Sequence, residues 1–89
     1  MATREHPLAP PPGVQQAEQA IELARIWALD GAQHVTINVQ LWNDPAAWGM
    51  MLVDFARHIA AAYSESGLDE DEALARLRAG FDAEWKHPS

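Results

Sequence analysis

Residues His34 to Trp42, HVTINVQLW, alternate apolar and polar side chains without a break. Val35, Ile37, Val39 and Leu41 fall on one side, and His34, Thr36, Asn38, Gln40 and Trp42 on the other. A period of two with β-branched residues on the inner face predicts a half-buried strand over Gln33–Trp42. Around this stretch the period changes to the helical one. Ala17, Ala20, Ile21, Ala24, Trp27 and Ala28 share a face at about 100° per residue, with Glu18, Glu22 and Arg25 on the far side. The pattern predicts a first helix from Val14 to Asp30, ended by Gly31 at the left-handed C′ position.

A second helix is announced by Asp44 as N-cap and Pro45 at the first helical position, where no N–H is needed. It is expected to run to Ser64, ahead of Gly67. Trp48, Leu52, Phe55, Ile59, Ala62 and Tyr63 form its stripe, with Met51 beside it. Gly49, Met50, Val53 and Ala60 leave the opposite side poor in charge as well, so this helix is expected to be surrounded. A third helix starts after Asp69, with Glu72 three residues on as a capping box, and buries Leu74, Leu77, Phe81 and Trp85. Arg76 and Arg78 point to solvent.

The order helix, strand, helix, helix is an α+β fold. Residues 14–86 form one domain, flanked by a flexible Pro-rich tail over 1–13 and a short tail over 87–89. A lone strand leaves both of its edges unpaired. Two copies related by a two-fold axis solve this at once, pairing Val35, Ile37, Val39 and Leu41 with their mates in an antiparallel ribbon. A hairpin within the chain is the competing arrangement, using an extended segment of the N-terminus. Its prolines lack the donors a strand needs.

Composition narrows the functional classes. A chain of 89 residues with 48% hydrophobic content is at most one globular domain with a modest core. Six Lys and Arg against thirteen Asp and Glu give a charge of −7, which repels phosphate backbones and anionic membranes. Neither nucleic acid nor membrane is expected as a partner. Without cysteine there is no disulfide, thiolate metal site or cysteine nucleophile. The first residues hold no long apolar run, so no leader or anchor is expected and a cytoplasmic location is the default.

Candidate chemistry is sparse. There is no glycine-rich phosphate loop and no HExxH. Asp54 and His58, four apart, share one face of the second helix, and Arg57 lies three from Asp54. A carboxylate orienting an imidazole is one way to build a general base. The same spacing also makes an ordinary surface pair worth about 0.3–0.5 kcal/mol. His6, His34, His58 and His87 are scattered, so no metal site and no cofactor is expected. The acids from Asp69 to Glu72 lack the spacing of a calcium loop and suit the positive end of a helix dipole. Trp27 and Trp48 belong to core stripes. Trp42 does not: on the polar side of the strand it packs on a helix, joins an interface or lines a pocket.

The run from Trp42 to His58, with AWGMMLVDFARHIA at its centre, resembles a small bacterial family known only as a domain of unknown function. Trp48, Gly49, Leu52, Asp54, Arg57 and His58 carry the likeness. It implies a compact mixed α/β domain of bacterial origin and no activity. Two functions stay open. One is a small homodimeric structural or protein-interaction module without enzymatic activity. The other is a small-molecule-binding protein or minor enzyme with Trp42, Asp54, Arg57 and His58 around an interfacial site.

Overall fold

The computed structural model describes residues 7–88. Residues 1–6 and Ser89, which belong to the two expected tails, lie outside the described residues. The chain divides between Leu41 and Trp42 into two compact units.

The first unit is a β-hairpin. β1 (Ala24–Leu29) pairs antiparallel with β2 (Ala32–Ile37), in register from Ala24 opposite Ile37 to Leu29 opposite Ala32. The α+β class is therefore borne out, but the expected helix over 14–30 is not. A short 3-10 turn occupies Pro12–Val14, and the segment expected as the helix's last turns is β1. The cause lies at Asp30 and Gly31. Their φ angles are 50° and 85°, the left-handed pair of a two-residue type I′ turn, whose twist matches that of the flanking strands. Gly31 does sit in a left-handed conformation, yet it closes a hairpin instead of ending a helix. Asp-Gly between two runs containing Ile26, Trp27, Val35 and Ile37 is a strong local hairpin signal.

The partner of β2 thus lies within the chain. It comes from residues 24–29 and not from the prolines. Alternation holds across the ladder, with Ala24, Ile26 and Ala28 on the face of Val35 and Ile37, and Trp27 opposite His34 on the other face. The ladder extends one step further, where Asn38 N–H donates to the Leu23 carbonyl at 2.9 Å. Beyond that the strand stops short of the expected Trp42. Val39–Leu41 turns as a 3-10 helix, with Leu41 N–H donating to Asn38 O at 3.3 Å. Val39 and Leu41 are therefore outside the strand.

The second unit is a helical hairpin. α1 (Pro45–Glu65) begins as its cap predicts, with the Asp44 carboxylate accepting from Ala46 N–H at 3.0 Å. It ends in a Schellman motif. Leu68 N–H reaches back to Tyr63 O at 3.2 Å, Gly67 N–H reaches Ser64 O at 3.1 Å, and Gly67 has φ 103°. The turn to α2 (Glu70–Lys86) follows directly, with Asp69 Oδ2 accepting from Glu72 N–H at 3.0 Å. The Glu72 carboxylate bonds Arg76 at 2.6 Å, so it supports α2 along its surface instead of closing the capping box. Glu70, Asp71 and Glu72 crowd the first turn and Lys86 stands in the last, both favourable to the helix dipole.

The seam between the helices is narrow. Ala60 and Ala73, 1% and 3% exposed, are the buried hydrophobic residues among those described. Ala56, Ile59, Leu74 and Leu77 are half-buried around them. Alanines at the contact let two helix axes approach closely. They also bury little apolar area, so the seam alone contributes little hydrophobic stabilisation. Leu52, Phe55 and Tyr63 of the expected stripe remain about half exposed. Within this unit α1 packs along one helix, α2, where the sequence predicts a surrounded helix.

Candidate functional site

Helical spacing brings Asp54 and His58 together as expected. His58 Nε2 lies 3.2 Å from Asp54 Oδ2, with both side chains about three-quarters exposed, at 75% and 73%. An imidazole held by a carboxylate can accept or donate a proton at its other nitrogen. In open solvent the pair lacks the desolvation that strengthens such work. Arg57, one position earlier, joins no ion pair among the described residues. The other ion pairs are also exposed: Arg25 with Glu22 at 2.8 Å, Arg76 with Glu72 at 2.6 Å, and Arg78 with Asp82 at 3.0 Å.

Trp42 stands apart from this trio. It packs on Trp48 in the first turn of α1, ring centroids 4.8 Å apart and planes at 70°. Asp54 and His58 lie about two to three turns further along α1. Packing against a helix is one of the three roles open to Trp42, and the Trp48 contact shows it. The four candidate residues therefore fall into two places on this unit.

Open recesses lie on the surface of each unit. One is lined by Phe81, Glu84, Trp85 and Pro88, the other by residues 22–25 and 36–38 of the hairpin unit. Neither includes Trp42, Asp54, Arg57 or His58. Phe81 and Trp85 stack at 5.6 Å with 22° between their planes. The sequence shows them as a buried stripe at spacing i, i+4, so their exposed stack was not signalled there. No group of three or more metal-ligating side chains occurs among the described residues. None of the described helices is long and apolar enough to cross a membrane.

No curated protein matches the chain. Among solved structures it is similar to one named "Structure of a putative pyruvate dehydrogenase from the photosynthetic bacterium Rhodopseudomonas palustrus", with 39% identity and a TM-score of 0.72. The similarity covers 99% of this chain and 93% of that one, so the two have closely similar lengths. A family model described as Domain of unknown function (DUF5076) matches residues 7–89, and the chain belongs to that family.

Proposed function

We propose that the chain is a small homodimeric structural or protein-interaction module. One observation carries this reading. Two helices of 21 and 17 residues bury only two alanines between them, while Leu52, Val53, Phe55, Tyr63 and Phe81 stay about half exposed and Met50 and Trp85 about three-quarters. A helix pair in this condition is half of a core, and bundles complete such cores with further helices. A second copy is present wherever the chain is made, and two-fold dimers are the commonest assembly. The similarity to a bacterial structure supports a bacterial origin. Light scattering on the purified full chain tests the reading: a mass near twice 9.8 kDa at micromolar concentration supports it, and a monomer refutes it.

The alternative is a small-molecule site at the dimer interface near Asp54, Arg57 and His58. The contact between Asp54 and His58 supports it. The name of the similar structure would make that site enzymatic, with a 2-oxo acid as substrate. Decarboxylating dehydrogenation of such an acid relies on cofactors, and this sequence has no glycine-rich phosphate loop. Adding pyruvate and following the His58 ring resonances by NMR separates the readings. Saturable shifts abolished by Arg57→Ala would favour the site; unmoved resonances would leave the module.

A further inference from the structure

Large apolar side chains stay exposed on both sides of the helical hairpin, beside Arg57 on one side and beside Glu72 and Arg76 on the other. At about 100° per residue, the line of α1 that faces α2 runs through Ala56 and Ala60. Leu52, Phe55 and Ile59 lie to one side of that line, and Met50 and Val53 to the other. On α2 the corresponding line passes near Ala73 and Leu77, with Phe81 and Trp85 flanking it. The two helices are joined by a short turn and run antiparallel. Right-handed winding then puts Met50 and Val53 on the same side of the hairpin as Phe81 and Trp85. These four are 75%, 53%, 52% and 76% exposed, and Met50 and Trp85 are more open than any other large apolar residue of the two helices.

At about 150–250 Å² for a large aromatic side chain, the exposed fractions of Met50, Val53, Phe81 and Trp85 leave roughly 500 Å² per copy. A two-fold contact would bury about 1,000 Å² in total, where biological interfaces begin. We propose that a second copy of this chain docks here, the Phe81–Trp85 stacks meeting across the axis to make a four-helix bundle. The inference rests on the homodimer reading and names its contact, in place of a ribbon made by β2.

The test uses the full chain. Trp85→Ala, near the end of α2, is expected to weaken the dimer about tenfold or more by light scattering. Val35→Pro removes a donor on the open edge of β2 and is expected to leave the dimer constant within about twofold. The chain has no cysteine, so Met50→Cys adds a single thiol. A short bismaleimide is expected to link two copies through it, and not through Gln33→Cys, which reports without a folding requirement at Trp85. A wild-type monomer overturns both the homodimer and its contact. A wild-type dimer that survives Trp85→Ala, separates with Val35→Pro, or links through Gln33→Cys and not Met50→Cys keeps the homodimer and overturns this contact.

Discussion

Trp42 meets Trp48 edge to face, with ring centroids 4.8 Å apart and planes at 70°. The pair joins the residue that opens the helical unit to the first turn of α1, next to the Asp44 cap. T-shaped aromatic pairs contribute about 0.5–1.5 kcal/mol beyond the area they bury. Trp42→Ala is expected to cost about 2 kcal/mol in urea unfolding, since neither ring is fully buried. Trp42→Phe should recover more than half. Near-UV circular dichroism should lose its coupled indole signal in both variants.

At the tip of the hairpin, Gly31 with φ 85° is in a conformation that costs an L-residue about 1–2 kcal/mol. A Cβ there meets nothing within 4 Å, so the whole effect of a substitution is conformational. Gly31→Val should destabilise the first unit by at least that amount and raise hydrogen exchange at Asn38, whose N–H donates to the Leu23 carbonyl. Asp30→Asn should be close to neutral, because Asn accepts the left-handed region readily. Unchanged exchange in Gly31→Val would show that the turn does not hold the register.

The carboxylate of Asp69 accepts the Glu72 N–H at 3.0 Å and opens α2. Asp69→Ala is expected to cost about 1 kcal/mol in thermal unfolding, and Asp69→Ser or Asp69→Asn only a few tenths. Glu72→Ala should cost less, because its carboxylate holds Arg76 on an exposed surface. A larger loss for Glu72 than for Asp69 would contradict the observed division of work.

Asp54 and His58 form an exposed pair, and exposed pairs contribute at most about 0.5 kcal/mol. Asp54→Ala and His58→Ala should therefore shift Tm by no more than about 2–4 °C, with any difference fading in high salt. A loss well above 1 kcal/mol would contradict an exposed pair.

The sequence by itself determined the two helices. Asp44 with Pro45, the Schellman glycine Gly67 and the Asp69 cap are local chemistry. Each acts within a few residues of itself, so α1 and α2 start and stop close to where the sequence places them. The alternation of Val35 and Ile37 likewise marked β2, and the Asp54–His58 contact followed from spacing four on a helix. Tertiary structure decided the state of residues 24–29. Their alanines suit a helical stripe as well as a strand, and a period of 3.6 fits Ala17 to Ala28. The pairing of Ile26 with Val35 and Trp27 with His34 outweighs that local preference, with the Asp30–Gly31 turn bringing the two runs together. It also decided that Trp42 packs on Trp48, away from Asp54 and His58. Helical periodicity shows which residues are apolar. Whether Leu52, Phe81 or Trp85 is covered depends on what lies beside the helix, and that is settled by packing between elements.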